Sequence, residues 1–234
     1  MFKKMTNEIY LSFHNKFFDK IIKKKRLEIL KIIKEELKGI QCSNCLDVGT
    51  THDEKNESSN FIVKNLKLIL NYKAFSNFSI EDNFFSSSTV GSISEDFEDE
   101  TLNFLKSDIV LSSATIEHVG SNINQKKMIQ NIASLTNKIF FITTPNKNYP
   151  IDFHSKLPIV NMLPNNIFRK VLKFFNFGYL SKEENLNLLS LNDLRKLLSE
   201  TKVHMDFDIK IKHIRLFFFK SNFIIIGIKK ELNS

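Results

Sequence analysis

The sequence predicts an α/β fold: a doubly wound, mostly parallel sheet closed by a C-terminal hairpin that sets an antiparallel strand into it. Three observations predict it. Helical patterns alternate with short apolar runs from residue 18 to 200. Two strand-like segments with no helix between them end the chain. The length of 234 residues suits one such domain with a modest cap.

The elements follow in order. Residues 18–38 read as a helix, with Leu30, Ile33 and Leu37 on one face and Gly39 as a stop. Cys45-Leu46-Asp47-Val48 is the first strand, breaking into a turn at Gly49. Residues 57–70 are helical, with Ile62, Leu66 and Ile69 aligned, and 72–80 form a second strand. The Ser-, Asp- and Glu-rich stretch 81–100 reads as loop around a short strand near Thr89–Ile93. Asp108–Ser112 is a strand, 123–136 a helix, and Lys138–Thr143 a buried strand ended by Pro145. Residues 145–189 are long and irregular, with a helix near 165–175. Ser190 and Asp193 form a capping-box pattern before the next helix. Phe207, Ile209 and Ile211 alternate with polar residues, and after a Lys220-Ser221-Asn222 connection comes Phe223–Ile228.

The net charge is +8, and it is uneven. Residues 1–38 hold eleven Lys/Arg against five Asp/Glu, a balance of +6, while the rest hold 23 against 21. A nucleic-acid enzyme would carry its basic residues around the cleft, so no nucleic-acid partner is expected. The run Lys23-Lys24-Lys25-Arg26 reads first as a solvated helix face; it also suits peripheral contact with an anionic membrane. Lys3 and Lys4 lead into polar residues rather than a signal's apolar core, so a cytoplasmic location is expected. Cys42 and Cys45 supply half of a tetrahedral zinc site and read as two reduced structural thiols.

Doubly wound sheets bind ligands beyond the carboxyl ends of their strands. The loops to inspect follow Val48, Ser79, Ile93, Leu111 and Ile142. The first, Asp47-Val48-Gly49-Thr50-Thr51, lets backbone approach a ligand closely at Gly49. The fourth, Ser112 to Gly120, brings Glu117 and His118 to the functional edge. The fifth leads through Thr143-Thr144-Pro145-Asn146 to His154, between aromatic and Pro residues.

The pieces LDVGT, SSATIEHVGSNINQKK, FFITTPNKNYPIDFHSKLP and EENLNLLS resemble, in order and spacing, a class I S-adenosylmethionine-dependent methyltransferase of the bacterial type 11/12 groups. The resemblance spans residues 20–230. It implies a seven-stranded sheet with S-adenosyl-L-methionine as cofactor. It divides the chain into a basic helical segment, 1–40, packed on a methyltransferase domain, 41–234, with 145–189 as an acceptor-side lid. It assigns Asp47, Gly49 and Thr50 to the methionine part of the cofactor and Glu81 or Asp82 to its ribose. Ser112, Ser113 and Glu117 then lie beside the methionine and the acceptor. Such loops usually hold two or three glycines, whereas this one has only Gly49; Ser92 stands where relatives place an acid.

A hydroxyl acceptor needs a base near neutrality, which singles out His154 and His118. Ser112-Ser113-Ala114-Thr115 stands where adenine or glutamine N-methyltransferases carry Asn/Asp-Pro-Pro-aromatic, so the expectation is methylation of oxygen on a small-molecule, sugar or lipid-linked acceptor. No metal is assigned, because Glu117 and His118 alone are two ligands. The alternative is a catalytically degenerate methyltransferase-fold protein serving as a binding or membrane-surface module.

Overall fold

A computed structural model describes residues 16–52, 59–68 and 71–230, the side chains of 16–19 excepted. The expected ends of the 57–70 helix, and Lys3 and Lys4, lie outside the described residues. The elements are α1 (Lys16–Glu36), β1 (Asn44–Val48), α2 (Phe61–Leu66), β2 (Asn71–Ser76), β3 (Ser87–Val90), α3 (Asp99–Leu105) and β4 (Ser107–Ser113). There follow α4 (Asn122–Leu135), β5 (Thr136–Pro145), α5 (Asn165–Phe174), α6 (Leu191–Thr201), β6 (Phe207–Leu216) and β7 (Phe219–Lys229).

The seven strands form one sheet in the order β3-β2-β1-β4-β5-β7-β6. β1 to β5 pair in parallel, and β7 lies antiparallel between β5 and β6. Both faces are covered. Leu46, Val48, Val110, Phe140 and Ile142 point to one side, where they pack on Met128, Ile129 and Ile132 of α4 and Leu194 of α6. Their neighbours Cys45, Ile109, Leu111, Ile139 and Phe141 point to the other, against Ile29, Ile33, Ile62 and Leu66 of α1 and α2. The period-two alternation of a strand produces this division. It also sends the Asp47 side chain to the α1 side, in line with Cys45.

Three boundaries differ from the expectation. The acidic stretch reaching Glu100 starts a helix, α3, because Asp99 and Glu100 suit the positive end of a first turn. The final hairpin turns at Phe217–Phe218, not at Lys220-Ser221-Asn222. Those three stay in β7, where the Lys220 and Ser221 carbonyls accept bonds from Asn146 (2.8 and 2.9 Å). β2 stops at Ser76, before the expected 80, which matters for the site.

Residues 146 to 189 leave the sheet after β5 and return beside their point of departure. Asn146 and Leu189 form a parallel bridge, and the Lys147 amide donates to Leu189 oxygen (3.0 Å). The excursion holds its own small core of Phe168, Leu172, Leu180, Leu186 and Leu188. The expected capping box follows at once: the Ser190 hydroxyl accepts from the Asp193 amide while the Asp193 carboxylate accepts from the Ser190 amide.

Candidate functional site

Two adjoining clefts open at the carboxyl ends of the parallel strands, as the fold dictates. One, about 420 Å³, lies between the ends of β1, β4 and β5, α1 and the 146–189 excursion. The other, about 510 Å³, lies over the ends of β2 and β3. They share Val48, Gly49, Thr51, Ala114 and His118 as walls.

Gly49 makes this junction possible. Its φ is +87° and its amide donates to Phe75 oxygen (2.9 Å), so the chain turns sharply away as β1 ends. A Cβ here would fall 2.2 Å from Thr115 Oγ1. Asp47, just before it, is buried at the floor of the first cleft. Thr50 Oγ1 donates to its carboxylate (2.8 Å), yet burial outweighs that bond and raises its pKa to about 7. Thr50 itself is buried beneath the second cleft, and Ser112, buried in β4, donates to Val48 oxygen (3.0 Å) from under the loop. Ser113 lines the first cleft.

The basic run on α1 divides. Lys23 and Lys24 are exposed, but Lys25 and Arg26 line the first cleft with Ile22 and Ile29. The spacing Ile22, Lys25, Arg26, Ile29, Ile33 explains this: they share the helix face that packs on the sheet. The signal was in the sequence, as the i, i+3, i+4, i+7 register of the apolar residues, and reading the run as a wholly solvated face missed it. Lys25 Nζ sits 3.1 Å from the centre of the Phe153 ring. Burial, then Arg26, lowers the Lys25 pKa to about 7 against the opposing pull of Glu117.

Glu117, His118 and His154 converge on this cleft, His118 on the wall it shares with the second. One ligand-capable atom from each lies within 4.8 Å of the others, and the two imidazole centroids are 5.1 Å apart. Glu117 is fully buried in the turn after β4; Thr144 donates to its Oε2 (3.0 Å). His118 opens to solvent on one side, and its Nδ1 lies 2.7 Å from Asn185 oxygen. A carbonyl can only accept, so Nδ1 carries the proton and Nε2 keeps its lone pair. His154 Nδ1 likewise faces Asp152 Oδ1 (3.3 Å). Burial lowers the His118 pKa; burial pushes the same way at His154, but Asp152 overrides it and raises that pKa.

The 146–189 excursion fastens this corner. It supplies His154, and its Asn187 amide donates to Glu117 oxygen (2.7 Å). Asn187 Nδ2 donates to Gly120 oxygen (2.9 Å), and Gln125 Nε2 of α4 to Asn187 oxygen (2.8 Å). Asn185 and Asn187 lie within the EENLNLLS piece, but sequence alone gives no sign that they brace Glu117 and His118.

The structure therefore brings Asp47, Gly49, Ser113, Glu117, His118 and His154 to the first cleft, sets Thr50 beneath the second and buries Ser112 under the loop after β1. It does not bring Glu81 or Asp82. β2 ends at Ser76, so Ser76, Asn77 and Phe78 face the second cleft at the strand's end. The chain has turned back by residue 81: Glu81 is exposed, and Asp82 pairs with Lys64 and accepts from the Phe84 amide (3.0 Å). Ser92 lines the second cleft. Cys45 is fully buried in β1 and Cys42 half-buried, both as free thiols. Among the described residues, no helix is long and apolar enough to cross a membrane.

No protein-family profile and no curated protein matches the chain. Solved structures do. Magnesium protoporphyrin IX methyltransferase (ChlM) from Synechocystis PCC 6803, with bound SAH, matches 93% of this chain and 89% of its own at 12% identity, TM-score 0.54. N-methyltransferase NodS from Bradyrhizobium japonicum WM9 matches 91% and 99% at 8% identity, TM-score 0.53. The small RNA methyltransferase HEN1 matches 87% of this chain at 13% identity, TM-score 0.55, and this chain spans 25% of it. The fold is that of the class I S-adenosylmethionine-dependent methyltransferases. Within that class these three names cover a tetrapyrrole, a nitrogen acceptor and an RNA, so the fold leaves the acceptor open.

Proposed function

We propose that this protein is an S-adenosylmethionine-dependent methyltransferase that methylates an oxygen of a small-molecule, sugar or lipid-linked acceptor in the cytoplasm. The observation that carries the reading is the pair of clefts meeting over Gly49, with Glu117, His118 and His154 together in the lining of one.

The residues fit the cofactor. The second cleft offers Phe75, Phe78 and Ile93 as apolar walls and Asn77 and Ser92 as polar ones, suited to an adenosine. Asn77, at the end of β2, takes the ribose role first given to Glu81 or Asp82. The first cleft offers Asp47 to an ammonium and Lys25 and Arg26 to a carboxylate, the two charges of a methionine tail. When bound, the sulfonium supplies an activated methyl, which an oxygen lone pair takes as the C–S electron pair stays on sulfur. The protein aligns the acceptor oxygen with that methyl and keeps water out. The acceptor's hydroxyl proton leaves to the Glu117–His118–His154 cluster. The 146–189 excursion covers this end; its outer surface exposes Phe174, Phe175 and Tyr179 beside Lys170 and Lys173, which favours an apolar or lipid-linked acceptor and contact with an anionic membrane.

Calorimetric titration with S-adenosylmethionine and S-adenosylhomocysteine tests this. Micromolar binding of both, weakened at least tenfold by Asp47→Ala, is expected. A folded protein that binds neither at millimolar ligand would sink the reading and leave a degenerate fold that serves as a binding module.

A further inference from the structure

We propose that Glu117, His118 and His154 bind a first-row divalent cation such as Mn²⁺, Fe²⁺, Co²⁺ or Zn²⁺. Two imidazoles and one carboxylate are the donor set these ions prefer, whereas Mg²⁺ and Ca²⁺ favour all-oxygen sites.

Three independent features support the site. First, the donor atoms lie within 4.8 Å of one another. Bonds of about 2.0–2.2 Å would need each to move inward by less than about 1 Å. Second, Glu117 Oε1 is fully enclosed and has no hydrogen-bond partner, although Oε2 is held by Thr144. A buried carboxylate oxygen left unmatched is costly unless a cation meets it. Third, both histidines are fixed through Nδ1, one by the Asn185 carbonyl and one by the Asp152 carboxylate. Such outer partners set the tautomer and aim Nε2 at a metal. The Asp152 carboxylate is itself oriented by the Ser155 and His154 amides (2.9 and 3.2 Å).

The neighbourhood suits an ion that meets substrate. Three protein ligands leave coordination positions open, and His118 reaches solvent. Lys25, which lines the same cleft, is turned onto the Phe153 ring rather than ion-paired with Glu117. The ion's role rests on the methyl-transfer reading. With the ion bound, it would hold the acceptor oxygen and acidify its hydroxyl, whose proton then passes to solvent in place of the imidazoles that serve as base in its absence. The oxygen lone pair would then form the new bond to the methyl carbon as the carbon–sulfur bond breaks. On a five- or six-coordinate ion at least two positions would stay open, which favours acceptors with two adjacent oxygens.

The test titrates Co²⁺ and Mn²⁺ into the metal-stripped full chain, following the visible Co²⁺ spectrum and calorimetry. One equivalent should bind, with a spectrum lacking thiolate charge transfer. Glu117→Gln, His118→Ala and His154→Ala should each weaken binding at least tenfold, and Cys42→Ser should leave it unchanged. Far-UV circular dichroism of each variant reports that it is folded, and S-adenosylhomocysteine is titrated separately into the unsubstituted chain, so failure of the metal site and failure of the methyltransferase reading appear in separate measurements. The proposal is overturned if neither ion binds at millimolar concentration. It is equally overturned if binding survives Glu117→Gln and His154→Ala, or is lost with Cys42→Ser.

Discussion

The two clefts are built differently. The one over β2 and β3 is shaped mainly by backbone and neutral side chains, with Gly49, Phe75, Asn77 and Ser92 set by strand ends and a tight turn and Glu95 and Glu184 also in its wall. The one over β4 and β5 is lined by Lys25, Arg26, Asp47 and Glu117, and its Glu117–His118 corner is held by a distant stretch, through Asn185 and Asn187. The contrast teaches that strand ends and a tight turn fix the second cleft, while the first depends on what is hung on the sheet.

The largest effect should come from breaking the junction. Gly49→Val places a branched side chain at φ +87° against Thr115. We expect a loss of at least about 2 kcal/mol in denaturant unfolding, and S-adenosylhomocysteine binding should disappear. Asn187→Ala separates the two clefts. It leaves the Gly120 carbonyl without its partner and should cost about 1–2 kcal/mol. Turnover of an acceptor should fall while S-adenosylhomocysteine affinity holds; an equal fall in both would erase the distinction.

Asp47 gives a pH test. Its pKa is raised to about 7 by burial, so the folded protein keeps a proton that the unfolded chain releases near pH 4. Stability therefore falls as pH rises through that window, and Asp47→Asn should flatten this slope in urea melts. A bound ammonium favours the ionised form, so S-adenosylhomocysteine affinity should rise several-fold from pH 6 to 8 in the wild type only. The smallest effect belongs to the outer surface of the excursion. Phe174 is 82% exposed, so Phe174→Ser should change stability by less than about 0.5 kcal/mol. Sedimentation with anionic vesicles at low salt should nevertheless weaken; unchanged sedimentation would count against a membrane role for this surface.

Much of the fold was legible because its signals are local. Gly49 after an apolar strand, Pro145 at the end of β5 and the Ser190–Asp193 box each act within a few residues. What was not legible depends on where chains meet. Lys220-Ser221-Asn222 looks like a turn, yet its polar groups serve Asn146 in a neighbouring strand, and the true turn is made of exposed aromatics. The resemblance puts Glu81 or Asp82 on the ribose as the acidic residue after a second strand expected to reach 80; that strand ends at Ser76, four residues sooner, and neither residue lines the cleft. His118 and Glu117 could be placed by their loop. That His154 joins them was not deducible, because 36 positions separate His154 from His118.

The bridge between Asn146 and Leu189 closes the excursion at its base. The sheet thus continues on either side as though those residues were a single long loop, and exchange of that loop would spare the strands. His154, Asp152, Asn185 and Asn187 all lie within it. A lineage that swapped this stretch would change substrate preference and reactive chemistry in one event, while inheriting the cofactor half unaltered.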